Sequence, residues 1–336
     1  MNTRIRTPWA RALGLGVAAS LIVAIVVLSF TWPVKTASPH HLPVTVAGPE
    51  QAVTQVSTAL TKQAGDTFEI HTAADRDAAV QDIRTRETEG AIVVDPKSGI
   101  EVLTATAAGT APAQILNNVA TQLGKAQPQA KVTVTNLVPL NEHDSNGAGL
   151  AIASLPLALG GVIGGILISL VVTGTWRRFA AAGTYAIAAG GILTAILQGW
   201  FGFLQSNALL NWLALGLTVL GTTSLIIGFE TLLGRAGIPI GPVLTILVGN
   251  PLAGVQMPWQ FTPEPWGLIG QYMVPGAGNT LIRSLSYFPD ASTAQQWWTL
   301  IAWGALGIVL ATIGGLRIRA QHRRHHGAHA AEPVEA

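Results

Sequence analysis

The sequence predicts a polytopic α-helical membrane protein with six transmembrane helices in a 1 + 5 arrangement and an extracytoplasmic α/β domain inserted after the first helix. The chain is 49% hydrophobic and 11% charged, whereas an average soluble domain carries about 25% charged residues. Lipid must therefore solvate much of its surface. One apolar run is followed by a polar stretch, residues 33–147, and then by five further apolar runs.

A transmembrane helix needs about 20 mostly apolar residues. Six segments meet this length: residues 12–32, 149–174, 183–204, 209–230, 238–257 and 297–316. The first is predicted to be a retained anchor rather than a cleaved signal peptide, because its apolar run is longer than a signal peptide's and residues 29–32 (SFTW) form a poor cleavage site. Prolines interrupt the fifth segment, which predicts a broken or re-entrant helix packed inside protein.

Arginine placement predicts the orientation. Ten arginines fall on one side of the membrane if the six spans alternate: Arg4, Arg6, Arg11, Arg177, Arg178, Arg235, Arg317, Arg319, Arg323 and Arg324. The positive-inside rule puts that side in the cytoplasm. We therefore expect a multi-pass cell-membrane protein with both termini cytoplasmic and residues 33–147 outside. The last segment, residues 318–336, is predicted to be a solvated basic tail near anionic lipid.

The inserted stretch, residues 33–147, has the local patterns of a small α/β domain. Alternating or buried-looking runs predict strands, and apolar residues at helical spacing predict helices between them. Asp75 is a candidate N-cap for a helix that continues through Arg86. The predicted order β-α-β-α-β-β-α-β favours a mixed sheet with helices packed on it.

No catalytic or metal-binding pattern stands out. The chain has no cysteine, which excludes thiolate zinc sites and disulfides. His71 with Asp75 and Asp77 is interpreted as a strand end followed by a helix cap rather than a metal cluster, and His40–His41 as a solvated linker. A nucleophile elbow, a zinc helix, a calcium loop and a nucleotide-binding P-loop are all missing from the sequence. We expect a protein that is not an enzyme and carries no cofactor or metal.

The membrane half is predicted to contain almost no ionisable residue deep in a span, which argues against an ion-driven carrier. Its embedded polar residues have two interpretations: they bridge helices by hydrogen bonds, or they line a substrate path. These residues are Gln198, Asn211, Thr222, Thr223, Ser224 and Asn250. Gly161 and Gly165 form a small-xxx-small pair, compatible with packing inside the chain or in a dimer.

The long segment between the last two spans, residues 258–296, is predicted to lie outside and yet is rich in aromatic and aliphatic residues. Its pattern indicates two short amphipathic helices broken at Pro275–Gly276. We expect these helices to lie in, or dip into, the outer leaflet.

Several motifs in this half look like a known family. They are residues 249–254 (GNPLAG), 265–267 (PWG), Gln271, 275–279 (PGAGN) and 283–288 (RSLSYF), together with the strand at residues 90–96 (GAIVVDP). With the 1 + 5 layout, they resemble the membrane component of type-2 ABC exporters, in the branch with a large extracytoplasmic domain that includes phage-infection-protein-like membrane proteins.

The resemblance implies ATP-driven export with a separate ATP-binding subunit and dimerisation, as a homo- or heterodimer, through transmembrane helices. It implies an outer gate or re-entrant segment at Asn250, Pro251, Gly254, Trp266, Pro275, Asn279 and Arg283. It also implies an ATPase-coupling loop at Trp176, Arg177, Arg178 and Phe179. Here the chain departs from the family, since both its N-terminal segment and this loop are short.

The sequence leaves two principal hypotheses. The first is a permease-like exporter subunit. The second is a non-transporting membrane protein whose extracytoplasmic domain binds a cell-envelope component or partner protein. A membrane enzyme is a third and weaker alternative, because no catalytic constellation is visible. Neither principal hypothesis involves nucleic acid.

Overall fold

The chain folds as a multi-pass helical membrane protein with a small β-sheet. A computed structural model describes residues 8–127, 129–255 and 257–329, so residues 1–7 and the last part of the predicted basic tail, 330–336, lie outside the described residues. Five helices in the described part are long and apolar enough to cross a membrane. They are α1 (Trp9–Thr36), α5 (Ala148–Val171), α6 (Thr175–Trp200, the last turn π-helical), α7 (Ala208–Leu233) and α11 (Ala294–His329).

Helix α7 is the centre of the bundle. It packs against α5, α6 and α11, and its buried residues lie on all sides of the helix. A helix that is apolar all round must be buried in protein or lipid. In α7, protein supplies most of that cover. Helix α1 is the opposite case, because its apolar span is unburied in the structure, which leaves lipid to cover it.

The predicted fifth span is a short helix instead of a full-length one. Helix α8 (Ile240–Gly249) has ten residues, mostly π-helical, and at 1.5 Å per residue it is about 15 Å long, half of a bilayer core. Irregular backbone follows it. The prediction of a broken helix is confirmed, and a sixth membrane crossing stays a prediction.

Two helix boundaries differ from the prediction. Helix α6 begins at Thr175, not at residue 183, so the expected coupling loop lies in its first turn. A charged side chain is compatible with this helix start because Arg178 donates hydrogen bonds to the carbonyls of Val172 and Ser169 nearby. Helix α11 continues to His329, so most of the predicted basic tail is helical.

The polar stretch forms a five-stranded sheet with three helices, called here the sheet region. Its strands are β1 (Leu42–Ala47), β2 (Phe68–Ala73), β3 (Gly90–Asp95), β4 (Gly99–Thr104) and β5 (Val132–Asn136). Its helices are α2 (Glu50–Ala64), α3 (Arg76–Arg84) and α4 (Thr110–Ala126). The spatial order is β2-β1-β3-β4-β5, parallel except for β3–β4. The predicted element order and mixed sheet are both present.

Alternating side chains give the sheet two packed faces. One face carries Leu42, Val44 and Val46 of β1 against α2 and α4. The other carries Ala47 of β1 against α3, and Phe288, from far along the chain, belongs to the same cluster. The sheet region is therefore packed directly against the segment that follows α8.

The end of α3 differs from the prediction in an informative way. Asp75 caps the helix by accepting a hydrogen bond from the Ala78 N–H, as predicted, but α3 ends at Arg84 instead of continuing through Arg86. Arg86 has φ +62°, a left-handed conformation that costs a non-glycine residue about 1 kcal/mol. Such strain often marks a functional position, and Arg86 contributes to the cavity described below.

Acid pH is expected to weaken the β4–β5 edge of the sheet. Glu101 accepts hydrogen bonds from Arg76 (2.7 and 3.1 Å) and from the Thr135 hydroxyl (2.7 Å). These bonds hold the pKa of Glu101 below its ordinary 4.5, and the bond from Arg76 has the larger effect. A carboxyl with a lowered folded-state pKa stabilises the fold above its unfolded pKa and loses that contribution as pH falls through the folded pKa.

Glu101→Gln should therefore remove this acid sensitivity while costing at most about 1 kcal/mol at neutral pH, since Arg76 is half-exposed. Hydrogen-exchange protection factors of the β4 and β5 amides, taken relative to the intrinsic exchange rate at pH 7 and at pH 4, measure the effect. An equal loss of protection at pH 4 in the wild type and the variant would contradict it.

Candidate functional site

Helix α10 (Val274–Tyr287) is a short, largely buried helix inside the bundle. It starts near the middle of α7, where Val274 lies against Gly221, and it packs along both α7 and α11. It ends at the sheet region, where the next residue, Phe288, joins the sheet cluster. The Tyr287 hydroxyl donates to the Phe203 carbonyl (2.9 Å), in the segment between α6 and α7. Protein rather than the outer leaflet surrounds α10, and the position of this segment relative to the bilayer stays a prediction.

The break between the two short helices is displaced from its predicted position. Helix α9 (Trp266–Gln271) ends before Tyr272, and Pro275 lies in the first turn of α10. Proline is tolerated in a first helical turn because no intrahelical partner exists there for its missing N–H. Pro275 therefore helps to start α10 instead of breaking a helix.

The C-terminal end of α8 meets the N-terminal end of α10 within the bundle. Gly249 touches Pro275 so closely that an added Cβ would lie 2.9 Å from the proline Cδ. The next residue, Asn250, has a buried side-chain nitrogen without a hydrogen-bond partner among the described residues. Irregular backbone at this depth is tolerated only when protein covers it, and α9 and α10 provide that cover.

A cavity of about 300 Å³ lies between the sheet region and the bundle. Its walls come from four parts of the chain: the sheet region, the first turn of α5, the segment after α8, and α10. The lining residues with polar side chains are Arg86, Glu89, Thr106, Thr110, Asn146, Gln260, Gln271, Asn279, Thr280 and Arg283. The volume is at the lower end of the range for small-molecule sites.

Two arginines from distant parts of the chain line this cavity. Arg283 of α10 donates through Nη1 to the carbonyls of Ala107 (3.1 Å) and Ala108 (3.0 Å) in the sheet region. Arg86 donates in the other direction, from the sheet region to the Ser284 hydroxyl of α10 (2.9 Å). Its guanidinium also lies 5.2 Å from the centre of the Phe288 ring. These contacts join α10 to the sheet region.

The charges in the cavity are unbalanced. Among the described residues, neither Arg86 nor Arg283 has a carboxylate within ion-pair distance. Glu89 also lines the cavity, and its buried Oε2 has no hydrogen-bond partner in the described structure. Two guanidinium groups and one carboxyl group thus line a small cavity.

Amide side chains hold the remaining wall. Asn279 donates to the Ser154 hydroxyl of α5 and to the Pro275 carbonyl, both at 2.8 Å. Gln271 accepts from the Thr280 hydroxyl (2.7 Å). These bonds fix α10 relative to α5 and α9, so the cavity wall is preorganised.

The structure divides the residues expected to form one outer gate. Gly254, Asn279 and Arg283 line the cavity. Pro251 and Trp266 lie instead in an apolar recess beside Trp32 of α1. The two others, Asn250 and Pro275, lie at the junction of α8 with α10.

Sequence reasoning missed Arg86, Glu89 and Gln260 as site residues. The left-handed conformation of Arg86 after α3 is the only local feature that distinguishes it. In the sequence alone, Arg86 looks like an ordinary charged residue at a helix end. The contact of Arg86 with Ser284 spans 198 positions of the chain, beyond the reach of any local pattern.

At the opposite end of the bundle, the expected coupling residues also separate into two groups. Arg178 is paired with Glu230 of α7 and donates to the carbonyls of Val172 (2.7 Å) and Ser169 (2.9 Å), so it is occupied within the chain. Phe179 is half-buried. Trp176 is 67% exposed, and with Arg177 it lines a groove beside the Ala311–Leu316 part of α11.

Two of the buried polar residues of α7 donate hydrogen bonds to neighbouring helices. Thr223 donates to the Gly161 carbonyl of α5 (3.0 Å), and Asn211 donates to Gln198 of α6 (3.0 Å). Gly161 and Gly165 both lie against α7. These observations favour helix bridging over a substrate path, and they place the small-residue pair in contacts inside the chain.

No protein-family model matches this chain, and searches of curated proteins and of solved structures found no match.

Proposed function

We propose that the chain is a permease-like membrane subunit of an ABC-type exporter, energised by a separate ATPase subunit. In this proposal it lies in the cell membrane with both termini in the cytoplasm and residues 33–147 outside, and it pairs with a second membrane subunit through transmembrane helices. The supporting observation is that α7 links an exposed groove at one end of the bundle to a cavity lined by charged residues at the other.

The linkage begins at the groove. Arg178, in the first turn of α6, is bound to Glu230 near the end of α7. A force applied to Trp176 or Arg177 is therefore transmitted to α7 through one turn of helix and an ion pair. Packed rigid elements of this kind carry coupling between distant sites.

The linkage ends at the cavity. Helix α10 packs on α7 and supplies Asn279, Thr280 and Arg283 to the cavity wall. Movement of α7 relative to the sheet region would change the distance between Arg283 and Arg86, which are held on opposite walls. An exporter needs this kind of connection, in which an event at one membrane face alters a ligand site at the other.

Site-specific photocrosslinking tests the ATPase partner. A benzoylphenylalanine at position 176 should crosslink, in native membranes, to a protein with the P-loop motif of nucleotide-binding subunits. The matched control is position 200, since Trp200 is 78% exposed at the other end of α6. No crosslink to such a protein, or equal crosslinking from both positions, would contradict the proposal.

Trp176→Ala combined with Arg177→Ala should lower ATPase copurification about tenfold or more, because exposed Trp and Arg are frequent interface hot spots. Arg178 is left unchanged, since its loss would disturb the fold. Trp200→Ala serves as the control. Unchanged copurification in the double variant would count against coupling at this groove.

The second candidate is a non-transporting membrane protein whose sheet region, with the adjoining cavity, binds a cell-envelope component or partner. The observation in its favour is that the sheet region supplies several of the cavity's polar residues. A ligand that binds the cavity, without any ATPase crosslink from position 176, would favour this candidate.

A further inference from the structure

The cavity between the sheet region and the bundle has the charge pattern of a site for a zwitterion. Arg86 and Arg283 lack a carboxylate partner among the described residues, and the buried Glu89 Oε2 lacks any donor. Leaving a charged group buried and unpaired costs several kcal/mol. A ligand that carries one anionic and one cationic group would give the two arginines an anionic partner and Glu89 a donor.

The donors suit a phosphate. Arginine has five N–H donors in a planar fork that matches phosphate oxygens, and Arg86 uses one of them in the hydrogen bonds described here.

The acceptors suit a primary ammonium group. Beside Glu89, Gln260 contributes a buried Oε1 that also lacks a described partner, and both residues line the same cavity.

The position of the cavity indicates where such a group comes from. Ala148, Ala151 and Ile152, in the first turns of the spanning helix α5, form part of its wall. Ile152 is 71% exposed near the start of a helix that is long and apolar enough to span a membrane, so the cavity borders an exposed apolar surface at the end of that helix. Arginine side chains beside an exposed apolar surface suit a phospholipid, whose phosphate they can bind while its acyl chains cover that surface.

We infer that this cavity binds the head group of a phospholipid carrying a primary amine, of the phosphatidylethanolamine class. The phosphate lies against Arg86 and Arg283, the ammonium against Glu89 and Gln260, and the acyl chains pass along Ile152. The inference concerns the chain alone and does not depend on an ATPase. If the exporter proposal also holds, amine-bearing phospholipids are its expected cargo or a regulator of it.

Native mass spectrometry of the purified full chain in detergent tests this binding. Phosphatidylethanolamine should bind about tenfold more tightly than phosphatidylcholine, whose quaternary ammonium has no N–H to donate, and than phosphatidylglycerol, which has no amine. Equal binding of the three lipids would overturn the inference. Competition by tail-free glycerophosphoethanolamine at equal concentration would overturn the assignment to a lipid.

Glu89→Gln is the decisive variant, because an amide of equal size removes the anion without breaking a described side-chain hydrogen bond. It should lose the preference for phosphatidylethanolamine over phosphatidylglycerol while still binding both. Arg86→Gln should weaken both lipids about tenfold. A Glu89→Gln protein that melts normally and keeps its preference would overturn the assignment.

The matched controls are Glu50→Gln and Arg84→Gln, at exposed positions of the sheet region outside the cavity. Both should bind all three lipids as the wild type does. If they lose the preference as strongly as Glu89→Gln, the effect belongs to overall charge and the cavity assignment is wrong.

Discussion

Replacing Arg178 by alanine is expected to destabilise the protein by about 3–5 kcal/mol, since it leaves Glu230 buried without its partner. The two side chains are only 16% and 14% exposed, and Arg178 also donates to the carbonyls that end α5. The loss would therefore affect α5, α6 and α7 together. Thermal unfolding of the purified protein, followed by tryptophan fluorescence in detergent, measures it.

Two further variants distinguish the effect of losing the ion pair from the effect of losing a charge in general. Arg177→Ala, one residue away and exposed, should change the free energy of unfolding by less than about 0.5 kcal/mol. Replacing both partners by leucine should recover much of the loss, because apolar residues of similar volume often substitute for a buried ion pair at little cost. A double variant less stable than Arg178→Ala would show that this interpretation is wrong.

Gly307→Ala is expected to destabilise the bundle by about 1–3 kcal/mol, the usual cost of overpacking. Gly307 of α11 faces Ser224 and Gly228 of α7, and an added Cβ would lie 2.3 Å from the Ser224 carbonyl oxygen. The obstruction is backbone, so a side-chain rotation cannot relieve it and the two helices must separate. Unfolding should start at a temperature several degrees lower.

Gly304→Ala is the matched control on the same helix. No atom lies within 4 Å of a Cβ added there, so the variant should be neutral or more stable by up to about 1 kcal/mol, the ordinary helix preference of alanine over glycine. Opposite signs for the two substitutions are the expected result. Equal melting temperatures would mean that α7 and α11 are not as close as described.

The sheet region was predictable in detail because its signals are local. Strand alternation, helical spacing and the Asp75 cap each act over a few residues, and the resulting order of elements is the one the structure has. Even there, the end of α3 was misplaced by two residues. Just after this end, Arg86 adopts a left-handed conformation, and its side chain contacts Ser284 of α10, which lies outside any local window.

In the membrane half, hydropathy identified the long spans and failed on the short elements. Apolar composition is needed both for a helix in lipid and for one inside the bundle, so α10 looked interfacial when it is in fact covered by α7 and α11. The same ambiguity affected Trp176–Phe179, which were expected in a loop and lie in a helix. The burial and pairing of Arg178 depend on Glu230, which is 52 positions away in the chain.

Composition and periodicity, read from the chain without coordinates, were sufficient for the membrane class, the long helices and the mixed sheet, because these follow from hydropathy and short-range geometry. The cavity is different. Its charge pattern exists only where Arg86 and Glu89 of the sheet region meet Arg283 of α10, and that meeting depends on how segments from both halves of the chain pack. A guanidinium or carboxylate becomes a candidate ligand-binding group when its surroundings leave it buried without a partner, and those surroundings are created only by the complete fold.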